Sequence, residues 1–95
     1  MSTRPGDFDP WVLTYIAERT GMDNATIGQE LVSQGGLLGI SGLSGDMRDL
    51  QEAALKGHER AQLAIDVFCY QAKKYIGAFT AAMNGLDCLV FTGGI

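Results

Sequence analysis

From His58 to Asn84 apolar side chains return every three or four positions, through Ala61, Ala64, Ile65, Phe68, Ala72, Tyr75, Ile76, Phe79, Ala82 and Met83. That period is the signature of one amphipathic helix. At 1.5 Å per residue it predicts a rod about 40 Å long. In a chain of 95 residues, such a rod has few internal partners to cover its apolar face. The length itself allows one compact unit with a modest core.

The preceding sequence predicts three shorter helices. Asp9-Pro10 is a good start, since the carboxylate can cap free backbone N–H groups and proline suits the first helical position; Gly21 supplies the stop. Between them Val12, Leu13, Ile16 and Ala17 make an apolar stripe, and Trp11 and Tyr15 beside it read as core. A second helix is expected from Asp23 or Asn24 to about Gln34, with Ile27, Leu31 and Val32 facing inward and Gly28 weakening it. Gly35 to Gly45 mixes glycines with Leu37, Leu38, Ile40 and Leu43, a composition that predicts an ordered loop packed on something. A third helix should run from Ser44 or Asp46 to Lys56, its charges matched to the helix dipole and Gly57 ending it.

After the Asn84-Gly85 turn signal, Cys88-Leu89-Val90-Phe91 reads as a short strand apolar on both faces, the pattern of a buried strand in a parallel sheet. No other segment reads as its partner. A lone strand of this kind followed by Gly93-Gly94-Ile95 is physically incomplete, because its backbone groups need neighbours. The expected fold class is therefore mostly α with one short terminal β-strand, a partial domain spanning residues 1–95.

Eleven acidic residues against seven basic ones give a net charge of −4, which disfavours nucleic acid and anionic membrane surfaces as partners. The N-terminus lacks the pattern of a secretory leader, and no apolar run approaches the roughly 20 residues that span a bilayer; a cytoplasmic location is expected. Cys69 and Cys88 lie in apolar surroundings and read as reduced core residues. With no close ligand pair, His58 and the cysteines are not expected to hold a metal. Helix capping and loop hydrogen bonds account for Asp7 and Asp9 more simply than metal binding does, and His58 reads as a surface residue at a helix junction.

Five blocks carry a family resemblance. Thr3-Arg4-x-Gly6-Asp7-x-Asp9-Pro10, Gly36-Leu37-Leu38-Gly39-Ile40-Ser41-Gly42, Ser44-Gly45-Asp46-Met47-Arg48-Asp49, Phe68-Cys69-Tyr70 with Lys74-Tyr75-Ile76-Gly77-Ala78, and Val90-Phe91-Thr92-Gly93-Gly94-Ile95 resemble, in order, an internal stretch of the acetate and propionate kinases. The third block departs at Gly45, where many relatives carry a side chain. The resemblance implies a piece of the second domain of an actin-like, sugar-kinase-type α/β fold. Such enzymes transfer a phosphoryl group between ATP and a short carboxylate, in a cleft between two domains and with magnesium.

The resemblance also implies roles. Arg4 corresponds to an arginine that contacts the transferring phosphoryl group, where a planar, permanently charged guanidinium suits the equatorial oxygens; the alternative is a solvated arginine near a terminus. Asp46 and Arg48 correspond to residues that hold the adenosine of ATP or ADP, although a helix-start aspartate also caps. Gly93 and Gly94 correspond to the start of a glycine-rich turn at the nucleotide phosphates, against which stands a bland turn after a strand. The family's histidines, its second arginine, its magnesium-positioning acids and its carboxylate pocket have no counterpart in these residues. Three expectations follow: a fragment inactive alone, one half of a split kinase that binds its missing half, or a helical module that forms a homo-oligomer.

Overall fold

The computed structural model describes residues 1–93. Its elements are α1 (Trp11–Thr20), α2 (Asn24–Ser33), α3 (Gly36–Ser41), α4 (Met47–Leu55) and α5 (Glu59–Ala82). No strand occurs among the described residues. Cys88–Phe91, expected as a strand, is without regular structure and exposed. An apolar run becomes a strand only when a neighbouring strand takes its N–H and C=O groups, and here none lies beside it. The fold class is thus all helical in what is described, rather than helical with a terminal strand.

Four of the five helices begin where local cap chemistry says they should. Asp9 Oδ1 accepts from the N–H of Trp11 at 2.9 Å, and Gly21 closes α1 in the left-handed conformation at φ 72°. Asp23 accepts from Thr26 N–H at 2.9 Å and from its hydroxyl at 2.9 Å. Asp46 caps α4, and His58 Nδ1 accepts from Ala61 N–H at 3.1 Å to start α5. Each cap satisfies donors that the first helical turn leaves without partners.

The segment expected as a loop, Gly35–Gly45, instead contains α3. A six-residue helix is not stable on its own propensity; this one has both ends completed by distant chain. The N–H groups of Leu37 and Leu38 donate to the carbonyls of Met1 (2.7 Å) and Ser2 (3.1 Å). At the other end Arg60, from α5, donates through Nε to Ile40 O at 2.8 Å and through Nη2 to Gly39 O at 3.2 Å. Buried Ser41 then organises the exit, its hydroxyl accepting from the N–H groups of Leu43 and Ser44 at 3.1 and 3.3 Å.

The core is small. Leu37, Leu50, Ala61 and Ala64 are fully buried where α3 and α4 both pack on the first turns of α5, with Ile40, Met47, Ala53, Ala54, Ile65 and Phe68 around them. Separately, α1 and α2 pair as a hairpin over Ile27, which is also buried. Beyond Phe68 the same stripe of α5 continues into Tyr75, Phe79 and Met83, all exposed. Trp11 at 73% and Tyr15 at 55% exposure are not core residues, and neither is Val32; the short α1–α2 hairpin has no third layer to receive them. Both cysteines are free and exposed rather than buried, Cys69 because it lies off the packed stripe of α5. A radius of gyration of 16.0 Å, against about 13 Å for a compact chain of 100 residues, reflects this open arrangement.

The first residues form a strap across the glycine pair that opens α3. Gly36 has φ +58°, and a Cβ there would lie 1.8 Å from the carbonyl oxygen of Met1 and 2.6 Å from that of Arg4. Only glycine fits such a seat, on steric grounds and because the left-handed backbone itself costs other residues about 1–2 kcal/mol. Gly36→Ala is therefore expected to lift the strap, lowering the melting temperature measured by circular dichroism and speeding amide exchange at Leu37 and Leu38. An unchanged melt and unchanged protection would contradict the seat.

Candidate functional site

The region around the start of α4 is ordered by serines. Ser2 Oγ donates to Gly45 O at 2.7 Å, fastening the strap to the turn before α4. A Cβ on Gly45 would sit 2.7 Å from that same Oγ, so the serine takes the room a side chain would need. Ser44 Oγ accepts from Asp46 N–H at 3.0 Å and donates to Asp49 Oδ2 at 2.7 Å. The turn thus presents Asp46 at a fixed point, extended at φ −93°, ψ 127°.

Asp46 and Arg48 form a fork. Oδ1 of Asp46 accepts from the Arg48 backbone N–H at 2.8 Å and from its Nε at 3.2 Å, while Oδ2 accepts from Nη2 at 2.7 Å. Such two-point pairing fixes the plane of the guanidinium as well as its place. The Arg48 side chain remains 83% exposed, so its flat surface stays open to solvent. Hydrogen bonds from the Arg48 side chain, then from its backbone N–H, hold the Asp46 carboxyl at about 2 against an ordinary 3.8. The same pairing raises the pKa of Arg48.

Beside the fork lies a cleft of about 470 Å³ lined by Met1, Ser2, Leu37, Gly45, Asp46, Met47 and Phe68. Its walls combine apolar side chains with one carboxylate and one hydroxyl, and its size is within the range of small-molecule sites. Arg4 is elsewhere. It is exposed on the strap and lines a second cleft, of about 450 Å³, with Pro5, Gly6, Phe8, Leu13, Leu31 and Val32 among its walls. The strap joins the two clefts, but Arg4 and Asp46 line different ones. Gly93 is exposed at φ +81° with open space around it. Gly94 lies outside the described residues.

One contact had no signal in the sequence. The Tyr75 hydroxyl of α5 donates to Asp7 Oδ2 on the strap, 68 positions away, and this raises the pKa of Tyr75. Sequence reading gave Asp7 a loop role and Tyr75 a place on the core stripe; only the folded chain brings them together. Among the described residues no three His, Cys, Asp or Glu side chains gather closely enough to hold a metal ion, and no helix is long and apolar enough to cross a membrane. A flat heteroaromatic ring fits the cleft and fork; magnesium has no ligand set here.

The helix order and this cleft recur in solved enzymes. A crystal structure of Porphyromonas gingivalis acetate kinase superposes on 99% of the chain at TM-score 0.93 and 49% identity, and one of a Francisella tularensis propionate kinase does so at TM-score 0.92 and 41% identity. The fold is therefore that of a segment shared by acetate and propionate kinases. Residues 1–95 match the model of the acetokinase family throughout, and the acetate kinase of Acetivibrio thermocellus is 53% identical over all 95 residues. The chain belongs to the acetokinase family. It spans about a quarter of the length of these relatives, 24% in each case.

The fork has a pH signature. Because the Asp46 pKa is depressed in the folded chain, its contribution to stability is fully present above about pH 4 and is lost as pH falls from there towards 2. Thermal melts between pH 5 and 2 should fall more steeply for the parent chain than for Asp46→Asn. Parallel profiles would show that the fork adds nothing to folding.

Proposed function

We infer that this chain supplies part of the nucleotide and phosphoryl contact surface of an ATP-dependent short-chain carboxylate kinase, within the second domain of the family's two-domain architecture. The reaction is acetate plus ATP giving acetyl phosphate plus ADP, or its propionate counterpart, in the cytoplasm. The observation that carries this reading is the Asp46–Arg48 fork beside the 470 Å³ cleft, set in a chain of the acetokinase family. A guanidinium held in plane by a carboxylate can stack on a purine, and the second carboxylate lone pairs can accept from ribose or base.

Arg4 serves the transferring phosphoryl group as a fixed positive charge, one of several such contributors in the whole enzyme. Gly93 and Gly94 begin the turn that approaches the nucleotide phosphates. Magnesium, bound with the nucleotide, neutralises phosphate charge through residues beyond these. On its own the chain binds but does not turn over ATP, since it holds no carboxylate pocket and no general cluster of catalytic side chains.

Calorimetry with Mg-ADP and Mg-ATP tests this. Weak binding that is abolished in Arg48→Ala is expected; no binding at millimolar nucleotide by a folded chain would overturn the nucleotide role. A second reading, association with a missing kinase half or with another copy of itself, is favoured by the exposed Trp11, Tyr15, Phe79 and Phe91, since contiguous apolar surface marks interfaces. Light scattering coupled to size exclusion should then show a species heavier than the 10.2 kDa monomer, and a monomer at all concentrations would remove self-association.

A further inference from the structure

We propose that Asp7 and Tyr75 form a clip that positions Arg4, an inference that rests on the reading of Arg4 as a phosphoryl contact. The strap bearing Arg4 is anchored on one side by its seat on α3, where Gly36 lies against the Met1 and Arg4 carbonyls and Met1 O accepts from Leu37 N–H. That seat fixes the backbone as far as Arg4 and no further. Three residues on, the Asp7 carboxylate accepts from the Tyr75 hydroxyl of α5. Between the two anchors Pro5 has a restricted φ and Gly6 turns the chain at φ +78°, which aims Asp7 at the helix. Arg4 therefore sits on a short span held at both ends.

The helix side of the clip is itself held. The Tyr75 ring stacks on Phe79, one turn along α5, with centroids 6.3 Å apart and planes at 27°. Only a narrow cleft of about 70 Å³, walled by Pro5, Gly6, Asp7, Gln71 and Tyr75, separates strap from helix. A hydrogen bond to a carboxylate is among the stronger neutral-donor contacts. Its loss frees residues 5–8 while leaving the α3 seat and the α3–α4–α5 core untouched. Asp7 and Tyr75 are positioning residues: they act on phosphate through Arg4 and do not touch it.

The test compares Tyr75→Phe, Asp7→Ala and Asp7→Asn in the full chain by NMR, reading amide exchange at Gly6, Asp7 and Phe8 and the Arg4 Nε–H line, with Leu50 and Ala61 amides as controls. Tyr75→Phe and Asp7→Ala are expected to speed strap exchange about tenfold, as loss of one hydrogen bond to a charged group would, and to broaden the Arg4 line, with the controls unmoved. Combining the two should add nothing further, and Asp7→Asn, which keeps an acceptor, should restore most of the protection. Unchanged strap exchange in Tyr75→Phe, or additive effects in the double variant, would overturn the clip. Pyrophosphate titration provides the second arm. If Arg4→Ala leaves pyrophosphate binding unaltered, the phosphoryl reading of Arg4 fails whatever the NMR shows. If Arg4→Ala abolishes binding and Tyr75→Phe leaves it intact, the reading stands and the positioning role is lost.

Discussion

Two alanines set the geometry of this molecule. Ala61 and Ala64, one on each of two successive turns of α5, have no side chain beyond Cβ, and α3 and α4 both come down on that narrow face until neither alanine is exposed. Leu37 and Leu50 fill the space on either side. Close packing of this sort tolerates little change in volume. Because α3 is docked there, its N-terminus can receive the Met1 and Ser2 carbonyls, and because α4 is docked there, the turn carrying Asp46 lies against Ser2. The strap, the fork and the cleft between them are consequences of one small-residue contact.

The same contact explains how so small a core supports ordered surface features. Arg60 lies one residue before Ala61, so the docking that buries the alanine also brings its guanidinium to the open carbonyls of α3. Polar completion and apolar burial reinforce each other at a single locus. Tyr75 and Asp7 repeat the pattern farther along α5, where a polar tie replaces the missing core.

Much of the helix content was legible because it is written in local chemistry. Asp9, Asp23, Asp46 and His58 each cap a helix within three residues of themselves, and the 3.6-residue period of α5 is visible over its whole length. What could not be read locally depended on residues far apart. The helix α3 is completed by Met1, Ser2 and Arg60, and a sequence window centred on its glycines contains none of them. Burial was misjudged for Trp11, Tyr15, Val32, Cys69 and Cys88 for one reason: apolar character says that a side chain prefers cover, and only the fold says whether cover is there. Cys88–Phe91 was misread as a strand for the same cause. At the candidate site, Arg4, Asp46 and Arg48 were found through motifs, whereas the Asp7–Tyr75 contact needed the folded chain.

The uneven cover on α5 has a dynamic consequence. Its first ten residues are clamped by α3 and α4, while its last turns hold their helical hydrogen bonds with almost no tertiary help. Opening in such a helix proceeds from the unclamped end, so local free energies grade from near zero at Ala82 towards the global value at Ala61. Tyr75 stands partway along that gradient. A polypeptide that covered the outer turns would stiffen them from a distance, and the ordering would pass back along a single rod to the segment that carries Arg4.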